Sequence, residues 1–138
     1  MDVGKAIYQI LQQSAVVGTY EASIHPLVAK ETTRFPFVVY EVTQDDPTDT
    51  KDGQSNLDTY RVDIFVYSTE YSNTCLISNA VRGVLDRAPT YPYTIYNGVV
   101  LQSISFQNIT DEFEPQSGGR GIFRQRLEFE VREIRQTE

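Results

Sequence analysis

Apolar residues at 3, 7, 10 and 11 recur at three- and four-residue steps, which draws one stripe along a helix over residues 3–14. Asp2 stands where a carboxylate can accept from the free N–H groups of the first turn, and Gly18 closes the element or the turn after it. A wider stripe, Leu76, Ile77, Ala80, Val81, Val84 and Leu85, predicts a second helix over residues 71–87. Ser68, Thr69 and Ser72 are its candidate caps, and Pro89 stops it because proline has no N–H and clashes with the preceding turn.

Elsewhere the period drops to two. Residues 37–43 are β-branched and aromatic, a strand by composition. In residues 57–67, Tyr60, Val62, Ile64 and Val66 alternate against Arg61 and Asp63. Residues 99–109 carry Leu101, Ile104 and Phe106. Residues 122–134 alternate most regularly, with Phe123, Leu127, Phe129 and Val131 facing one way and Arg124, Arg126, Glu128, Glu130 and Arg132 the other. Ile24 and His25 are candidates for a short edge strand, and residues 91–96 for another before the Asn97-Gly98 turn. Residues 44–56 hold no large apolar side chain beside Asp45, Asp46, Asp49 and Asp52, so they form an exposed loop or a hairpin tip. Residues 110–121, with Pro115 and Gly118-Gly119, read as a second polar loop. The order α-β-β-α-β-β predicts an α+β fold: an antiparallel four-stranded sheet with both helices on one face, one domain over residues 1–138.

The 138 residues suffice for one core without disulfides or metals. Nine Tyr and seven Phe supply both a sheet core and a contact surface. The net charge of −7, from 12 Lys and Arg against 19 Asp and Glu, argues against wrapping DNA and suits a surface past which DNA slides. No apolar run reaches the length of a membrane span, and the N-terminal residues do not resemble a signal peptide, so a cytoplasm or a particle assembled there is expected.

Reactive chemistry is sparse. His25 is the single histidine and Cys75 the single cysteine, so no zinc set or intrachain disulfide is available. Cys75 lies in an apolar helical stripe and His25 in an irregular stretch, which does not favour a nucleophile pair. Gly118-Gly119-Arg120-Gly121 lacks the Gly-Lys-Ser/Thr ending of a phosphate loop. The acidic loop lacks calcium-loop spacing. Asp111 and Glu112 fall in a polar loop, where hydration is the simple expectation. No catalytic residue, metal or cofactor is therefore assigned. The charged face of the last strand has two readings: a solvated sheet surface, or a subunit contact made by Arg124, Arg126, Glu128 and Arg132. Cross-strand pairs with Arg61 and Asp63 would satisfy those charges within one chain.

Several stretches together resemble a known family. They are Ile24-His25-Pro26-Leu27-Val28-Ala29, then Phe35-Pro36-Phe37-Val38-Val39-Tyr40. Asp58-Thr59-Tyr60-Arg61-Val62-Asp63-Ile64-Phe65-Val66-Tyr67, the helix with Ala80-Val81-Arg82, and Phe123-Arg124-Gln125-Arg126-Leu127-Glu128-Phe129 follow. In this order they are similar to the tail-completion, or tail-terminator, proteins of long-tailed phages. The resemblance implies a non-enzymatic virion protein, assembled in the host cytoplasm. It implies a ring of six copies that caps the head-proximal end of the tail tube, ends its growth and joins the head connector. DNA would pass through the lumen without specific binding. Ring contacts are expected at Arg124, Arg126, Glu128 and Arg132 and at Asp45, Asp46, Asp49 and Asp52. The aspartate-rich loop departs from the family pattern. A head-completion or neck adaptor ring, a tail tube subunit and a small-molecule-binding α+β domain are the alternatives.

Overall fold

The computed structural model describes residues 2–29, 33–44, 49–50, 53–54, 57–86, 95–96, 99–115 and 121–134. In chain order the elements are α1 (Asp2–Gln12), α2 (Ala15–Gly18), β1 (Ser23–Pro26), β2 (Phe37–Gln44), β3 (Asp49–Thr50) and β4 (Gly53–Gln54). They continue with β5 (Leu57–Ser68), α3 (Tyr71–Leu85), β6 (Ile95–Tyr96), β7 (Val99–Pro115) and β8 (Gly121–Ile134).

The fold is α+β, but the sheet is not the expected four-stranded antiparallel one. Five strands run in the order β1-β2-β5-β8-β7, and the two-residue β6 adds to the outer edge of β7. β1 lies parallel to β2, from Ser23 opposite Phe37 to Pro26 opposite Tyr40, so the sheet is mixed. Four residues containing a proline carry no alternation that could have announced a direction. The other pairings are antiparallel.

One face of the sheet is covered. Tyr60, Val62, Ile64 and Val66 of β5 stand beside Leu127, Phe129 and Val131 of β8, all buried, and Ile104 of β7 extends the layer. Val3, Ile7 and Leu11 of α1 and Ile77, Val81 and Leu85 of α3 close over it. At Gly4 α1 faces Tyr40 and Val42 of β2, with room there for a Cβ in ordinary contact. Burial raises the Tyr40 phenol above its ordinary value, and Tyr8 adds to the shift. The first helix ends earlier than its stripe suggests. Ser14 donates its hydroxyl to the Leu11 carbonyl and accepts from the Val16 N–H, which ends one helix and caps the next, α2.

Helix α3 begins after Glu70, whose side chain makes no cap. Of the expected caps, Ser68 accepts from the Glu70 N–H and the Asn73 amide, one step outside the helix. Leu76, counted in the buried stripe, is 50% exposed. Cys75, expected in the core, is half-buried. Arg87, Pro89, the 91–94 part of the aromatic run, Asn97-Gly98 and the glycine cluster at 118–120 lie outside the described residues, as does the Asp2 side chain.

The largest correction concerns residues 110–115. They are strand, not loop: β7 runs on to Pro115 and pairs with β8 down to Gly121. Acidic residues made this segment read as solvated. The pairing with β8 brings partners that the linear sequence does not display: Gln125 for Asp111 and Arg124 for Glu112. Two register shifts, near Gln102 and Gln107, interrupt the ladder on the way.

Candidate assembly surface

The face of the sheet away from the helices carries an ion-pair ladder. Arg126 sets its Nη2 3.1 Å from Asp63 and 3.3 Å from Glu128. Arg61 Nε lies 3.9 Å from the same Asp63 oxygen, and Arg132 Nε is 3.1 Å from Glu130. Arg124 pairs with Glu112 of β7. The charges that pattern assigned to this face are therefore there, and their partners lie within the chain. Asp63 is only 5% exposed. Its Oδ1 and the Nε of Arg126 find no hydrogen-bond partner among the described residues. Asp49 belongs to the small β3–β4 pair, opposite Gln54, while Asp45, Asp46 and Asp52 lie outside the described residues.

Beside the ladder runs a line of aromatic rings that sequence reasoning missed. Phe35 leans on Phe37 at 5.1 Å, and Phe37 stacks on Tyr67 at 4.6 Å. The Arg124 guanidinium continues the line over Tyr67 and Phe65, at 5.8 and 5.4 Å. Register places Phe37, Tyr67, Arg124 and Glu112 in one row across four strands. Alternation in each strand was visible; the row exists only once the register is known.

Leu27, Val28 and Ala29 leave β1 and pass along this face, so that a groove of about 280 Å³ opens between them and Phe37, Val39, Phe65 and Tyr67. Leu27 is 64% exposed and Val28 78%. Leu27 also holds a left-handed backbone, φ 63°, pinned by donation of its N–H to the Tyr40 carbonyl. A side chain with a Cβ meets steric resistance there, and such positions gather at functional surfaces.

The far end of the β7–β8 hairpin forms an arm beyond the start of α3. On its helix side Tyr71 meets Phe123 at 5.6 Å, and Phe123 meets Phe113 at 5.0 Å. Phe113 also lies across Gly121, where any Cβ would collide with the ring. The obstacle is the far end of a half-exposed side chain, which can swing aside. At the base of the arm Tyr71 donates to Asp111, and Gln125 donates to Asp111 and to the Cys75 sulfur. Hydrogen bonding with Cys75, then with Asp111, pushes the Tyr71 phenol up to about 12. His25, the other residue considered for nucleophile chemistry, instead bonds Ser23 and sets its ring edge-on to Phe37.

Comparison with known proteins gives three findings. The sequence profile of a family described as Tail completion protein gp17 matches residues 5–133. No curated protein matches the chain. Among solved structures, a chain from "Virion of native gene transfer agent (GTA) particle" shares the fold with a TM-score of 0.67. Its identity is 16%, over 92% of this chain and 90% of that one. A second solved chain, 14% identical over 94% of this chain and 92% of its own, has a TM-score of 0.48, too low to carry an argument.

Proposed function

The chain belongs to the tail completion protein gp17 family, a family of structural phage-tail proteins, and from that membership we propose that it forms a ring of six copies at the head-proximal end of the tail tube. The ring ends polymerisation of the tube and offers the head connector its docking surface. Its partners are other copies of itself, the tail tube protein and a connector or neck protein. DNA crosses its lumen unbound, which the net charge of −7 favours.

The family match over residues 5–133 carries this reading. The shared fold with a chain from a gene transfer agent virion accords with it. So do the exposed apolar side chains Leu27, Val28 and Phe35 near one edge of the sheet and Ile109 and Phe113 at the other. Deletion of the gene from a phage or particle genome is the test, with tails measured by electron microscopy. Tubes of uncontrolled length that fail to join heads are expected. Tails of normal length, joined to heads as before, would overturn the proposal. Tails of normal length that stay unjoined would move the protein to a neck adaptor ring.

A further inference from the structure

A closed ring of identical subunits needs two different surfaces that fit one another on each chain. The described residues hold two exposed apolar surfaces, at opposite edges of the sheet. At the β7 edge stands the arm, with Phe113 55% and Ile109 42% exposed. Its outer backbone edge is open among the described residues. β6 pairs only with Val99 and Val100, and Asp86 accepts from the Phe106 N–H, so residues 107–115 meet no strand on that side. On the arm Asp111 is held by Tyr71 and Gln125 and Glu112 by Arg124, and Glu114 stands beyond them.

At the β1 edge lies the groove under Leu27 and Val28, its apolar lining joined by Glu41 and Arg124, with Phe35, 39% exposed, against the lining residue Phe37. Lys5 borders the hollow on the other side of Leu27, and exposed Arg34 adjoins Phe35. Glu114 at the one edge and Arg34 at the other are thus opposite in charge, each beside exposed apolar side chains. Apolar complementarity supplies the contact and opposite charge supplies register.

We propose that the arm of one copy seats in the Leu27–Phe37 groove of the next, head to tail, with Phe113 entering the groove and Glu114 facing Arg34. This rests on the ring reading above and assigns its surfaces. Each added copy leaves one arm and one groove unfilled until the last contact closes the ring. Of the ion-pair ladder only Arg124 reaches the contact, as part of the groove lining, and it already pairs with Glu112 within the chain.

Two variants test the contact: Phe113→Asp, which spoils the arm, and Leu27→Asp with Val28→Asp, which spoils the groove. Light scattering after size exclusion reads each alone and in equimolar mixture, over a range of concentrations. The wild type should grow beyond a dimer, and each variant alone should stay monomeric. The mixture should stop at a one-to-one dimer, because one intact arm and one intact groove remain. The proposal is overturned by a wild type that stays monomeric, by either variant assembling alone, or by a mixture that yields no dimer while both variants keep native circular dichroism.

Should an aspartate unfold the chain, disulfide trapping decides. Val28→Cys and Phe113→Cys, each in a Cys75→Ser background, should give a mixed disulfide when combined under mild oxidation. Its absence overturns the proposal. A protein that assembles through other faces sinks this contact and leaves the tail role standing. One that assembles arm-in-groove yet leaves tail length unchanged does the reverse.

Discussion

The two halves of the β7–β8 hairpin obey the same alternation and live in different surroundings. At its base, Phe129 of β8 is fully buried, set edge-on to Phe106 at 5.7 Å beneath the helices. At its tip, Phe113 occupies an equivalent inward position and is 55% exposed. What separates them is cover: α3 starts at Tyr71, beside Phe123, and the strands continue past it. An apolar residue on the inner face of a strand is a core residue only as far as something lies over that face. Beyond that point the same residue is exposed apolar surface.

The comparison can be broken by stability measurements, which should fall steeply along the hairpin. Phe129→Ala opens a cavity in the covered half and should cost about 3–5 kcal/mol in chemical denaturation. A cost below about 1 kcal/mol would mean that the helices do not seal this layer. Next, Arg126→Met removes the nearest cation from buried Asp63, leaving Arg61 at 3.9 Å, and should cost roughly 1–3 kcal/mol. Glu112→Gln loosens a partly exposed pair with Arg124 and should cost about 0–1 kcal/mol.

Towards the tip, Phe113→Ser loses mainly the ring contact with Phe123 and should lower monomer stability by about 0.5–1.5 kcal/mol. A loss approaching that of Phe129→Ala would make the arm part of the core and remove the contrast. The smallest effect concerns the boundary between the halves. The Tyr71 phenol is raised by folding, so its contribution to stability is full below pH 10 and is lost as pH climbs through about 12. A difference titration of tyrosine absorbance against Tyr71→Phe should show one late-ionising phenol. Asp111→Asn should bring that phenol down towards its ordinary value.

Much of the covered half was legible from spacing alone. Strand β8 alternates so regularly that its inner residues Leu127, Phe129 and Val131 could be named before any register was known, and the same holds for Val62, Ile64 and Val66 of β5. What escaped was whatever depended on a partner distant in sequence. Residues 110–115 are rich in acids and end in proline, so local preference gives a loop. Glu112 opposite Arg124 and Phe113 opposite Phe123 make it strand. Leu76 fits the helical stripe, but the stripe was drawn wider than the surface that receives it. The groove at Leu27 had no signal beyond exposed apolar residues beside a proline. The left-handed backbone that presents it follows from the parallel return of the chain to β2. The last strand's charges were found in sequence, together with the cross-strand partner Asp63. Their use as a subunit contact was a guess that spacing could not decide.

Arg124 borders the hollow at the arm and also the groove beneath Leu27. It salt-bridges Glu112 on one side and lies over Phe65 and Tyr67 on the other. A single guanidinium spanning both walls acts as a strut. In the arm-in-groove contact proposed above, load on the hairpin would reach the groove floor through that one side chain.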